Sequence, residues 1–140
     1  MNDNVNTTQE DVVRTILIAD DDEDILALVH RALAESGYEV LLARDGATAL
    51  TTARERKPAL ALLDIAMPEL DGYEVTSALK NDPATKDTIV ILFTARSEAS
   101  DVEKGYDVGA DDYIMKPFTL KTLQSRVLAA LEQTAGAADN

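Results

Sequence analysis

Cysteine is absent from this chain, histidine occurs once, and 13 basic side chains face 26 acidic ones. Without cysteine there is no disulfide framework, no thiolate nucleophile and no cysteine-type zinc site. The acidic excess gives a net charge of −13. Phosphate backbones and anionic lipid surfaces repel such a surface, so the domain is expected to bind neither nucleic acid nor a membrane by itself. The charge suits a cation ligand or a basic partner face instead. Residues 1–8 carry neither a basic region nor an apolar core, so no signal peptide is visible and a cytoplasmic location is the default expectation. There is no low-complexity block and no internal repeat beyond the alternation described below.

At 140 residues, 46% apolar and 28% charged, the composition is that of one globular domain with a real core. It is organised around Leu60-Ala61-Leu62-Leu63-Asp64-Ile65-Ala66-Met67-Pro68-Glu69-Leu70-Asp71-Gly72. A short apolar run, far below membrane-spanning length, stops on one carboxylate and gives way to a loop with Pro68 and Asp71-Gly72. The run reads as a buried strand, apolar on both faces. Asp64 then stands at the carboxyl end of a central strand, where parallel α/β sheets place their ligand crevices. Taken alone, such a carboxylate could equally cap the following loop.

The pattern around it repeats as strand then helix, five times. Residues 1–13 read as a flexible tail. Thr15 to Ala19 is a strand that stops at Asp20-Asp21-Asp22. Ile25, Leu28, Val29, Ala32 and Leu33 then recur at helical spacing as far as the stop signal at Gly37. Glu39 to Ala43 is a second strand, followed by a helix capped by Asp45 that ends before Pro58. After Asp64 a helix runs from about Gly72 to Lys80, and Ile89 to Phe93 is a strand ending on Thr94. A short helix carries Val102 and Tyr106 and closes near Gly109. Tyr113 to Met115 is the last strand and ends on Lys116-Pro117. Thr119 caps a final helix with Leu120, Leu123, Val127 and Leu131, and residues 134–140 read as a second flexible tail. Alternating strands and helices imply a parallel sheet covered on both faces.

The strand ends carry the chemistry. Asp20 and Asp21, Asp64, Thr94 and Lys116 all fall on one rim of such a sheet. If the first and third strands are neighbours, about 4.8 Å apart, three carboxylates crowd together and need neutralising. An oxygen-only set suits a hard divalent ion, Mg²⁺ before Ca²⁺. A carboxylate nucleophile beside such an ion, a lysine and a hydroxyl has what phosphoryl transfer requires.

This ordered set resembles the response-regulator receiver domain, the phosphoacceptor module of two-component signalling. The likeness covers residues from about 14 to 133. It rests on Ile16-Leu17-Ile18-Ala19-Asp20-Asp21, Leu63-Asp64 with Met67-Pro68 and Asp71-Gly72, Phe93-Thr94-Ala95, and Gly109-Ala110 through Tyr113 to Lys116-Pro117-Phe118. The gaps of 30 residues from Asp64 to Thr94 and 22 from Thr94 to Lys116 are also similar to the family's. The resemblance implies a flavodoxin-like, doubly wound (βα)5 fold with strand order 2-1-3-4-5. It implies that Asp64 accepts a phosphoryl group from a sensor histidine kinase or a histidine phosphotransfer protein. Asp20, Asp21 and Asp64, with the backbone carbonyl of Ala66, would hold Mg²⁺, or Mn²⁺ in its place. Thr94 and Lys116 would contact the phosphoryl oxygens, Tyr113 would be the aromatic switch, and the Lys116–Pro117 bond would be cis. Output would pass from the fourth helix, fifth strand and fifth helix to a downstream protein effector. The implied protein is a switch, not a turnover enzyme, and a monomer or a weak phosphorylation-dependent dimer. Ala66 and Arg96 occupy positions that tune phosphoryl lifetime in the family. The chain reads as a receiver without a DNA-binding output domain, or as one taken from a larger regulator.

Plainer readings stand beside these. Asp22, Glu23 and Asp24 suit the positive end of a helix dipole better than a metal site. His30 falls off the apolar face of its helix and reads as solvated. Met67 and Met115 read as packing residues, and Tyr106 as a cover for the core edge. A haloacid-dehalogenase-like phosphatase is the competing enzyme class: Asp20 and Asp22 have its nucleophile-and-acid spacing, and Thr94, Lys116 and Asp111-Asp112 echo its later motifs. Against it stand Asp24 where that family has Thr or Val, the order of Lys116 after the Asp pair, and too little chain for a cap. A receiver-shaped scaffold indifferent to phosphate is the third reading, and the presence of every acceptor-site residue type speaks against it.

Overall fold

A computed structural model describes residues 13–96 and 98–139; the amino-terminal tail expected over 1–13 lies, apart from Val13, outside them. Strands β1 (Thr15–Ala19), β2 (Glu39–Ala43), β3 (Leu60–Leu63), β4 (Ile89–Thr94) and β5 (Asp112–Met115) alternate with helices α1 (Glu23–Glu35), α2 (Gly46–Arg56), α3 (Gly72–Lys80), α4 (Ala99–Asp107) and α5 (Leu120–Asp139). The strands form one parallel sheet in the order β2-β1-β3-β4-β5, the flavodoxin-like arrangement. No helix among the described residues is long and apolar enough to cross a membrane.

Both faces of the sheet are buried, so the strands are continuously apolar, and alternate residues feed two cores. Ile16, Ile18, Leu60, Leu62, Ile89, Ile91, Phe93 and Ile114 meet Leu26, Val29 and Leu33 of α1 and Leu123, Val127 and Leu131 of α5. Leu17, Ala19, Ala61, Leu63, Val90, Leu92 and Tyr113 meet Ala49 and Ala53 of α2 and Tyr73, Val75 and Leu79 of α3. Asp22, Asp45 and Asp71 cap α1, α2 and α3 through their side chains, Asp71 in a reciprocal capping box with Glu74. Thr119 caps α5, its hydroxyl oxygen accepting from the Thr122 amide at 3.0 Å. Each such cap is worth about 0.5–2 kcal/mol.

Helix α5 runs on to Asp139, across the stretch read as a second tail. Three expectations are corrected. Leu28 is exposed and Leu26 is buried in its place, because the two lie about 200° apart around the helix. Met115 is not a packing residue; it is 47% exposed at the end of an edge strand. Tyr106 is also half exposed, lying beside Asp112 and Arg126 instead of over the core.

Candidate functional site

The ladder hydrogen bonds run one step beyond the strands and thereby fix the residues of the rim. The Asp20 amide donates to Ala43 O at 3.1 Å, the Asp64 amide to Ala19 O at 2.9 Å, and the Lys116 amide to Thr94 O at 2.8 Å. Since Ala19 pairs with Leu63, Asp20 and Asp64 stand side by side. By alternation Asp20, Asp64 and Lys116 continue the rows of Ile18, Leu62 and Ile114, which share one face of the sheet. Thr94 continues the row of Val90 and Leu92 on the opposite face, which it shares with Tyr113.

Asp20 is fully buried and Asp64 nearly so, whereas Asp21 is exposed at the mouth. The Lys116 ammonium reaches both buried carboxylates, 2.7 Å from Asp20 Oδ2 and 3.3 Å from Asp64 Oδ2. It also sits 4.9 Å above the centre of the Phe93 ring. Asp20 Oδ1 accepts from the Asp22 amide at 2.9 Å, and Asp64 Oδ1 from the Ala66 amide at 3.4 Å. Burial and the neighbouring Asp20 push the Asp64 carboxyl above its ordinary range, against the opposing pull of Lys116, Thr94 and the Ala66 amide. Burial lowers the Lys116 ammonium, but its bond to Asp20 and the charges of Asp64 and Asp20 outweigh that and raise it.

One carboxylate oxygen from each of Asp20, Asp21 and Asp64 lies within 4.8 Å of the others, the one such group among the described residues. Three hard oxygen donors at that spacing fit a small divalent cation. Ala66, an exposed residue two beyond Asp64, would add its backbone carbonyl.

Gly72 places the loop after Asp64. A Cβ on Gly72 would lie 2.5 Å from Asp64 O, so only glycine lets α3 start against the backbone of Asp64. The Lys116–Pro117 bond is cis. Thr94 is buried, and its hydroxyl oxygen accepts from the Arg96 amide at 3.4 Å. Tyr113 is buried as well, its hydroxyl donating to Arg96 O at 2.7 Å. Arg96 is not turned to the carboxylates; its guanidinium acts on the phenols of Tyr73 and Tyr113.

The residues of the competing phosphatase reading do not assemble. The Asp22 carboxylate is spent on the Asp24 and Ile25 amides as a helix cap. Asp111 binds Lys80 and the Val90 amide, and Asp112 binds Arg126, both at the opposite end of β5 from Lys116. Glu23 pairs with Arg44, and His30 is exposed, as its reading as a solvated residue had it.

Sequence reasoning did not find the part played by Tyr73, Gly105 and Phe118. For the two aromatics the one signal was the scarcity of their kind. The chain has four tyrosines and two phenylalanines, and Tyr73, Phe93, Tyr113 and Phe118 all lie toward the carboxyl rim of the sheet or the elements just beyond it.

Residues 16–128 match the family model of the response regulator receiver domain. The chain is 45% identical over 123 residues to the transcriptional regulatory protein PrrA of Mycobacterium tuberculosis, an alignment covering 88% of this chain and 52% of that protein. It is 39% identical over 125 residues to the alkaline phosphatase synthesis transcriptional regulatory protein PhoP of Bacillus subtilis, covering 89% and 51%. The chain thus spans about half the length of these curated relatives. Among solved structures, a CheY-like response regulator receiver domain protein of Methanospirillum hungatei matches with a TM-score of 0.85 at 28% identity, covering 90% of this chain and 99% of that one. The BeF3-activated receiver domain of DrrB matches with a TM-score of 0.80 at 34% identity, covering 86% and 99%.

Proposed function

The chain belongs to the response-regulator receiver family, and from that premise we propose that it is a phosphorylation-switched signalling module, not a turnover enzyme, whose acceptor is Asp64. One observation carries this reading: Lys116 grips two buried carboxylates at once, 2.7 Å from Asp20 and 3.3 Å from Asp64, at the end of the central strand. The donor is a phosphohistidine on a sensor histidine kinase or a histidine phosphotransfer protein. A carboxylate oxygen of Asp64 attacks phosphorus in line. The phosphorus–oxygen bond forms as the phosphorus–nitrogen bond breaks, and the imidazole nitrogen keeps the electron pair of the broken bond. Lys116 holds a phosphoryl oxygen by charge and Thr94 by donating its hydroxyl hydrogen. Mg²⁺ held by Asp20, Asp21, Asp64 and the Ala66 carbonyl would supply, when bound, positive charge opposite the phosphoryl oxygens.

Beside Lys116 an apolar groove of about 340 Å³, lined by Ile25, Leu28, Ala95, Pro117 and Phe118, offers the donor protein a seat next to the acceptor. This accounts for the exposure of Leu28. The output surface is the face of α4, β5 and α5, where Tyr106 and Met115 stand 46% and 47% exposed. Exposed methionine and tyrosine suit an adaptable protein contact, with a downstream effector or in a weak phosphorylation-dependent dimer. Since two relatives are named as transcriptional regulators, the output we propose is control of transcription, through further chain or a separate protein.

Mass spectrometry after treatment with acetyl phosphate and Mg²⁺ tests the reading. An adduct of about 80 Da is expected, and Asp64→Asn should abolish it with the fold intact. An adduct retained in Asp64→Asn overturns the assignment. Mg²⁺ at ten times its Kd should stabilise the chain by about 1.4 kcal/mol in thermal unfolding, and an unchanged gain in Asp21→Ala would remove Asp21 from the metal set.

A further inference from the structure

Helix α4 has little to hold it. Its single buried residue is Gly105, and Glu98, just before its first turn, makes no side-chain cap bond, unlike the aspartates that precede α1, α2 and α3. Val102 and Val108 are only half buried against the core. A short helix with so little apolar burial and no cap is at the low-stability end of a domain.

Two tyrosines supply the missing contacts. Tyr113 lies under the helix, and a Cβ on Gly105 would come within 3.1 and 3.2 Å of its ring. The glycine is therefore a hollow that seats this ring, while the hydroxyl is tied to Arg96 O at 2.7 Å. Tyr73, on α3, grips α4 twice. Its hydroxyl donates to Asp101 O in the first turn at 3.0 Å, and the Lys104 ammonium of the last turn lies 4.6 Å above its ring centre. The neighbouring residue of Tyr73 is Gly72, which rests on the backbone of Asp64. The phenols also sense each other: burial first, then Tyr73 and Asp101, push the Tyr113 hydroxyl up to about 12.

We propose that Tyr73 is a positioning residue for α4 and for the seated ring of Tyr113, and that it joins the acceptor loop to α4 by a route separate from Thr94. Leaving the seat then requires α4 to yield, and α4 yields only when the Tyr73 grip also breaks. The regulatory meaning of this anchor rests on the switch reading above, but the anchor itself belongs to the chain without phosphate or metal, and it is tested in that form.

Amide exchange by NMR on the full chain provides the test, with Tyr73→Phe, Tyr113→Phe and the double variant. Tyr73→Phe keeps the buried ring and removes only the hydroxyl. It should accelerate exchange of the α4 amides about 3- to 10-fold, the factor expected for the net worth of one hydrogen bond, and leave β3 and β4 unchanged. In fluorotyrosine-labelled chain the Tyr113 ¹⁹F resonance should move toward that of exposed Tyr106. Gly105→Ala should move it in the same direction by filling the seat. The two hydroxyl deletions should be non-additive, since a coupled pair leaves a coupling term in a double-mutant cycle and two independent contacts do not. Unchanged α4 exchange in Tyr73→Phe, or an unmoved Tyr113 resonance with additive effects, overturns the proposal. Acceleration spread over all strands also overturns it, because it would make Tyr73 an ordinary core residue. A missing phosphoryl adduct would sink the acceptor assignment and leave these results standing.

Discussion

The two faces of the sheet are built differently, although the same strands supply both. Under α1 and α5 the buried cluster is isoleucine, leucine, valine and one phenylalanine, with no alanine. Under α2 to α4 it includes Ala19, Ala43, Ala49, Ala53, Ala61 and Ala110, and two tyrosines whose hydroxyls bind backbone carbonyls across elements. Large aliphatic side chains interlock and resist displacement. Small side chains bury less area, and polar bonds can be exchanged for others at modest net cost. The first face thus fixes Asp20, Asp64 and Lys116, which descend from its rows. The second carries Thr94, Tyr113 and α4, where adjustment has the least to disrupt.

The largest effects should come from the aliphatic face. Leu62→Ala is expected to destabilise the chain by about 2–5 kcal/mol in urea unfolding. Val102→Ala on α4 should cost about 1 kcal/mol or less, as only part of its surface leaves water. Equal costs would erase the contrast. Next comes the cation on the rim. Lys116→Met leaves Asp20 and Asp64 buried without their shared partner and should cost about 1–3 kcal/mol at pH 7. That loss should shrink toward pH 4 as the raised Asp64 carboxyl takes up its proton. In the native chain the raised Lys116 pKa makes its contribution full below its unfolded value of 10.5, and the contribution is lost as pH rises through the folded value.

Asp64→Asn sharpens the same point from the opposite sign. A carboxyl raised in the folded state makes the chain less stable as pH climbs from its unfolded value of 3.8 through the folded one. In metal-free protein the variant should therefore melt a few degrees higher than the native chain at pH 7, and the gain should vanish below pH 3.8. A lower melting point at neutral pH would show that Lys116 over-compensates the crowding. The smallest effect concerns Glu69, in the loop between Asp64 and α3, which adopts φ +73°. Glu69→Gly relieves a left-handed conformation that side chains resist but adds freedom to the unfolded chain. A change within about 1 kcal/mol is expected, read from the denaturation midpoint.

The sequence by itself determined the five strands and helices, because burial on both faces writes continuous apolar runs and helices write a 3.6-residue period. It determined two of the caps, at Asp45 and Thr119, since capping is a contact between near neighbours. It also determined that Asp20, Asp64, Thr94 and Lys116 are strand-end residues, and parallel strands put all such ends on one rim. The strand order came from resemblance alone, for the periodicity of a strand is the same whoever its neighbour is. Tertiary structure decided the rest. Leu28 and Met115 are as apolar as their buried neighbours, and only the packing around them leaves them in water. Tyr73 and Gly105 carry no local signal of joining α3, α4 and β5, because their contacts span 28 residues from Tyr73 to Asp101 and eight from Gly105 to Tyr113. Propensity and periodicity act within a few residues; which side chain meets which across elements is set when the sheet closes under its helices.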